Sequence, residues 1–419
     1  MPDTLSGGSP SDGAVIRVVF HHLGVRQDGE EWIVGRAGTG AFVALPHEGI
    51  RAIRLLESGA TVDVVRRRIG AETGRDMDIV GFVRALARIG LVSSLDGHAV
   101  PEHDAAPPTL PGIRPHHVRW ILSPLLHTVL LAVVLSGLVA AITHPRVVPG
   151  WSDALWTSHG TLVLLTQSAM TWLFIAFHEL AHLLTARAAG VLGTIRLGTR
   201  LQFLVVQTEV SGVWLLDRRT RMTVYLAGMV LDLTLSGACL LAMAVFGTHP
   251  LLSLAALTGL VAVSLQFMVF TRTDIYFALQ DLARCRNMYR DSLGYLRYLC
   301  ARLAGRGLPN PLLALRAGEQ RILRAYTALL VVGTAASLTV AFFVTTQVTW
   351  VLLSRSFGHL TQPRDWLEVA DAAMTFLIVG GFQLLWVTAW WRTHGHRVRQ
   401  AGGQARKRLT GWPPRPTPK

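Results

Sequence analysis

The chain has 419 residues, of which 51% are hydrophobic and 16% charged, and its mean hydropathy is positive. A water-soluble protein of this size carries nearer a quarter charged residues, so a soluble globular enzyme is excluded as the whole description. The formal charge of +14 invites a nucleic-acid reading. The basic residues are instead gathered in alternate segments between apolar runs and in the C-terminal tail, the pattern of membrane topology. No nucleic-acid partner is expected.

Taken in chain order, the opening MPDTLSGGSPSDG is polar, with no apolar signal-peptide core. Residues 1–14 read as a flexible N-terminus and 15–94 as a small α+β module. Ile16 to Phe20 and Glu31 to Val34 have β-type composition. Three helical patterns follow. The first runs near Pro46 to Leu56. The second begins after Thr61, a residue suited to an N-cap, with Val62, Val65 and Ile69 on one face. The third carries Ile79, Phe82, Val83, Leu86 and Ile89 and is ended by Gly90. Strands with three short helices predict a winged-helix-like fold. Residues 95–117, with Pro101, Pro107, Pro108, Pro111 and Pro115, read as a Pro-rich linker with little capacity for a core.

Residues 118–392 form the membrane part of a mainly helical, polytopic protein. Six apolar spans are predicted, near Trp120–Ile142, Leu162–Leu184, Met222–Phe246, Leu251–Phe270, Tyr326–Leu353 and Ala372–Trp391. The segments after the second and fourth spans are rich in Arg, among them Arg196, Arg200, Arg218, Arg219 and Arg221, then Arg272, Arg284, Arg286, Arg290 and Arg297. Positive residues stay on the cytoplasmic side. An even number of spans then puts both termini, including the basic tail 393–419, in the cytoplasm of a multi-pass cell-membrane protein. Cys239, Cys285 and Cys300 make neither a disulfide framework nor a CxxC site. Trp350, Trp386, Trp390 and Trp391 suit interfacial anchoring.

The second span contains His178-Glu179-Leu180-Ala181-His182. Residues four apart lie on one helix face, so His178 and His182 can grip one Zn²⁺, with Glu179 beside them as general base. An unpartnered Glu inside an apolar helix is costly, and a bound dication with a water supplies the partner. A catalytic zinc takes three protein ligands and keeps one position open. Two carboxylates lie at or near membrane depth and are candidates for the third ligand: Asp274, just after the fourth span, and Asp232, within the third. Asp281 reads as a structural surface residue. His127, in the first span, is a weaker candidate; His116 and His117 sit at the membrane border.

The stretches FHELAHLLTARAAGV, WLLDRRTRMTVYLAGMVLD and RTDIYFALQDLARCRNMYRDS resemble the site-2 protease family of intramembrane zinc metalloproteases, and within it the peptide zinc metalloprotease subgroup. The likeness covers most of Leu162 to Leu299. It implies Asp274 as the third ligand, since that position in the subgroup is followed by two aromatic residues, here Tyr276 and Phe277; Asp232 remains the alternative ligand or a second contact behind the metal. Met229 stands where the family has Pro after Gly228, Asp232 falls near its Asn, Ile275 replaces its Gly, and the Asn-Pro pair ahead of the ligand is missing. The resemblance also implies that the alternating run from Gly193 to Leu216 forms a small sheet presenting an extended peptide to the metal. The front module, with ALPHEGIRAIRLLESGATVDVVRRRIG and DIVGFVRALARIGLV, resembles the peptide-chaperone domain called the RiPP recognition element, which implies a leader peptide as partner.

The sequence therefore predicts a zinc metallopeptidase hydrolysing a peptide or membrane-protein substrate near the cytoplasmic face of the lipid bilayer, in maturation of a ribosomally made peptide. The alternative is a non-catalytic membrane receptor or export partner that binds peptide.

Overall fold

The computed structural model describes residues 16–36, 39–101, 107–200, 203–269, 272–283, 288–363 and 365–410. Residues 1–14, Phe270, Arg284, Cys285, Arg286 and the end of the tail from 411, on which expectations were placed above, lie outside them. The chain divides into two compact units, Met1–Leu130, Phe177–Arg196 and Val206–Leu231 in one, Leu131–Ala176, Leu197–Val205 and Asp232–Lys419 in the other.

In the first unit, β1 (Val18–Phe20) pairs antiparallel with β5 (Val92–Leu95), which turns into β6 (His98–Ala99). That turn is Asp96-Gly97, both with positive φ (50° and 78°), the two-residue hairpin that favours Asp-Gly. The hairpin carries the module past Ser94, where its end was expected. A second antiparallel sheet consists of β2 (Gly24–Asp28), β3 (Glu31–Arg36) and β4 (Ala41–Leu45).

Helices α1 (His47–Glu57), α2 (Val62–Thr73) and α3 (Ile79–Arg88) fall where apolar spacing put them. Val34, Ile50, Ile53, Leu56, Val65, Ile69, Val83 and Leu91 share one buried cluster, and each such side chain contributes roughly 1.5–3 kcal/mol of burial. Thr61 stands at the N-cap of α2 but its side chain makes no capping bond. Asp78 does cap α3, accepting from the Gly81 amide at 2.8 Å, and Gly90 ends that helix with φ +80°.

The Pro-rich segment is not a free tether throughout. Arg187, at the end of α6 (Gly160–Ala188) and 3% exposed, donates to the carbonyls of Ile113 and Thr109, each at 3.1 Å. The Thr109 amide donates to the Gly193 carbonyl at 3.0 Å, and the Ile195 amide donates to the Thr109 hydroxyl at 2.8 Å. Residues 107–114 are thus pinned along the start of β7 (Thr194–Arg200), which forms a two-stranded sheet with β8 (Phe203–Glu209). After a short 3-10 turn, Ser211–Leu215, comes α7 (Arg218–Phe246). Asp217 accepts from the amide and hydroxyl of Thr220 at 3.1 and 2.6 Å, and these bonds hold its carboxyl below the ordinary range.

The single-turn α4 (Pro115–Val118) leads to α5 (Pro124–Thr143). Among the described residues, four helical segments are long and apolar enough to cross a membrane: Pro124–Thr143, Gly160–Ala188, Arg218–Phe246 and Trp366–Leu385. This is fewer than the six expected. The fourth predicted span, Leu251–Phe270, contains α8 (Pro250–Gln266), an apolar helix of 17 residues. The fifth falls within α11 (Ala317–Thr361), a continuous 45-residue helix. The sixth lies in α12 (Trp366–Thr410), whose backbone stays helical through residues assigned to the tail. Between them lie α9 (Asp274–Ala283) and α10 (Met288–Leu303). Outward residues of α5 such as Leu125, Leu131, Leu138 and Ile142 are exposed, as suits a helix whose solvent is lipid.

Two contacts in the second unit fix its helices. Asp371 of α12 accepts the amides of Gly160 and Thr161 at 2.9 and 3.0 Å, satisfying donors that the first turn of α6 leaves over. Gly137 of α5 and Gly237 of α7 meet backbone to backbone: a Cβ added at Gly137 would stand 2.4 Å from the Gly237 Cα. Such small-residue crossings let membrane helices pack closely. Gly137→Leu should therefore lower stability by about 1–3 kcal/mol in thermal unfolding of the detergent-solubilised protein. Gly380→Leu, where a side chain meets open space, should leave the midpoint close to wild type.

Candidate metal centre

The HELAH residues sit in the C-terminal third of α6. His178 and His182 are buried, at 8% and 6% exposure, whereas neighbouring Trp172, Leu173 and Phe177 face outward. The two histidines share a face because they are one turn apart. Their Nε2 atoms are 3.2 Å apart. The Nδ1 of His182 lies 2.7 Å from the Val224 carbonyl. A carbonyl only accepts, so Nδ1 carries a proton and Nε2 is the ring nitrogen that faces His178. This backbone contact orients the ring in the way that metal-ligating histidines are oriented.

Helix α7 supplies that carbonyl and also passes against the first histidine. A Cβ added to Gly228 would stand 2.5 Å from both Cε1 and Nε2 of the His178 ring, so only glycine lets the helix come this near.

The Glu179 side chain, half-buried, turns to the β-hairpin. The Thr208 hydroxyl of β8 lies 2.7 Å from Glu179 Oε2 and 3.1 Å from its main-chain oxygen. The hairpin expected over Gly193 to Leu216 is thus present and touches the candidate base.

Asp274 is the first residue of α9. The backbone approaches it through Arg272, a non-glycine residue in the left-handed region (φ +58°). The Asp274 amide donates to the Gln266 side chain at 3.1 Å, and the Thr273 hydroxyl donates to the Gln266 carbonyl. Tyr276, one of the two aromatic residues after the carboxylate, is buried with Met288, Leu312 and Tyr326. It meets Tyr326 with ring centroids 6.1 Å apart. Tyr326 in turn donates to the Val269 carbonyl at 3.2 Å. These contacts fix the start of α9.

His178, His182 and Asp274 form a cluster able to hold a metal ion, each offering one ligand atom, with these atoms all within 4.8 Å of one another. Two nitrogens each about 2.0–2.1 Å from one tetrahedral zinc stand about 3.3 Å apart; the Nε2 separation of 3.2 Å matches. Two buried imidazoles and a half-buried carboxylate are a donor set suited to a borderline dication. Asp232, the alternative ligand, is fully buried in α7 and is not part of this cluster. Its main-chain carbonyl accepts from Ser236 at 2.8 Å. His127 is exposed on α5 and likewise outside the cluster, and His116 and His117 are exposed near the start of the membrane part.

Sequence reasoning did not find Thr208 or Val224, and gave Gly228 no role beyond a family pattern. A glycine within an apolar helix does signal a close approach; nothing in the chain order pairs Thr208 with Glu179.

Comparison of the chain with protein-family models, with curated proteins and with solved structures returned no match.

Gly228→Ala is expected to displace the His178 ring and lower zinc bound per chain at least tenfold at limiting metal, read by elemental analysis after dialysis. Gly294→Ala, where a Cβ meets nothing, should bind zinc as wild type does.

Proposed function

We propose that the chain is a zinc-dependent intramembrane peptidase of the site-2 protease type, with His178, His182 and Asp274 holding the metal and Glu179 as general base. The observation that carries this reading is the convergence of two buried imidazole nitrogens and a carboxylate, with a second, unshared carboxylate one residue from the first histidine. In a purely structural cluster there is no need for Glu179 beside it.

When bound, the zinc would polarise a scissile carbonyl and favour ionisation of water. The remaining work falls to this chain's own residues. Glu179, general base and then acid, takes the proton of the attacking water and returns it to the leaving nitrogen. The Val224 carbonyl keeps the proton of His182 on Nδ1. Helix α6 and its apolar neighbours limit water around the reacting amide.

The substrate class follows from the surroundings. An extended peptide is what a strand edge beside Glu179 can hold, and a membrane or ribosomally made peptide reaches a site at bilayer depth. The N-terminal module, with its two three-stranded sheets and α1–α3, suits a winged-helix-like leader-peptide recognition role. Both termini are placed in the cytoplasm on the distribution of arginines.

Two measurements test this. Purified protein should hold about one zinc per chain, and His178→Ala or Asp274→Ala should lose it. Glu179→Gln should keep the metal and reduce cleavage by at least about 100-fold. Cleavage by Glu179→Gln at the wild-type rate would remove the assigned mechanism; peptide binding without hydrolysis by the wild type would favour the receptor alternative.

A further inference from the structure

The contact between Thr208 and Glu179 joins the candidate base to a strand rather than to its own helix. Three observations bear on what it does. The hydroxyl is 2.7 Å from one carboxylate oxygen and 3.1 Å from the Glu179 carbonyl; it has one proton to donate, and the shorter contact is the one to the carboxylate. The bond to the carboxylate, at 2.7 Å, has the length of a well-formed O–H···O hydrogen bond. Thirdly, the chain just after β8 is held in place: Arg26 of β2 donates to the Leu216 carbonyl at 2.8 Å, and a Cβ on Gly24 would stand 2.3 Å from the Leu215 side chain. Thr208 therefore hangs on a strand whose end is fixed by the N-terminal sheet.

A glutamate has three side-chain torsions, and without a partner its carboxylate samples several rotamers. Proton transfer requires a heavy-atom separation near hydrogen-bond length, and small displacements from that geometry reduce rates steeply. We infer that Thr208 is a positioning residue for Glu179, fixing one carboxylate oxygen from strand β8 so that the other is held toward the reacting water. The inference rests on the peptidase reading above. It assigns Thr208 no contact with substrate or metal.

The test compares wild type, Thr208→Val, which keeps shape and removes the hydroxyl, and Thr208→Ser, which keeps the hydroxyl. Each is purified as the full chain in detergent, measured for zinc, and assayed on fluorescein-labelled casein. Thr208→Val should lower kcat at least tenfold, leave KM within about twofold and retain zinc; Thr208→Ser should recover kcat to within about threefold. A readout independent of activity is the thermal midpoint. The drop caused by Thr208→Val should be clearly smaller when Glu179 is already Ala, because the hydroxyl then keeps only the main-chain oxygen as a partner.

An active wild type with Thr208→Val cleaving normally overturns the inference. So does a loss that Thr208→Ser does not restore, a loss that tracks zinc content or KM, or a thermal drop that persists undiminished with Glu179→Ala. A zinc-loaded wild type that cleaves nothing overturns the peptidase reading, and this inference with it, so the two failures are told apart by the wild-type assay alone.

Discussion

Polar side chains inside an apolar helix lose their hydration, and each must recover partners from the protein. Helix α6 carries this constraint along most of its length. Gln167 donates to Thr171 at 3.2 Å and to Thr258 at 3.4 Å. His182 turns its Nδ1 to the Val224 carbonyl, and Glu179 accepts from Thr208. The free amides at the start of the helix are answered by Asp371. The arrangement around α6 is best understood as the set of elements needed to satisfy these groups, with the two Nε2 atoms brought to 3.2 Å of each other.

The same constraint explains why glycine recurs at the contacts. A backbone carbonyl can reach a buried imidazole only if the helix bearing it comes close, and α7 does so by having no side chain at Gly228. Further along, Gly237 lets α7 lie against Gly137 of α5. Without lipid-excluding hydrophobic drive between membrane helices, close packing of this kind is what holds them.

Much of this was legible in the chain. Val62, Val65 and Ile69 share a face because of their spacing, and all three are buried in α2. His178 and His182 were paired by an interval of four. The parts that escaped reading depend on contacts distant in sequence or on helix length. Thr208 is 29 residues from Glu179, and a threonine in an alternating run looks like any other strand residue. Among the described residues four helical segments, not six, are long and apolar enough to cross a membrane, and helix length is what the apolar runs did not show. The backbone of α11 continues into polar flanks, whereas α8 stops at Gln266, whose side chain accepts from the Asp274 amide at 3.1 Å. The Pro-rich segment misled in the opposite way: prolines predict no core, but carbonyls remain acceptors, and Arg187 uses two of them.

That last feature bears on how the segments of the first unit are fastened to one another. A flexible tether holds its cargo at an effective concentration set by its length and lets it explore a volume. Here Arg187, Thr194 and Ile195 hold the chain at Pro107, Thr109 and Ile113, and Arg26 of β2 reaches the Leu216 carbonyl, so the β7–β8 hairpin is hydrogen-bonded at its start and held again beyond its end within one unit. Tension applied at one side of a segment fastened in this way is passed on to the other instead of being taken up as slack.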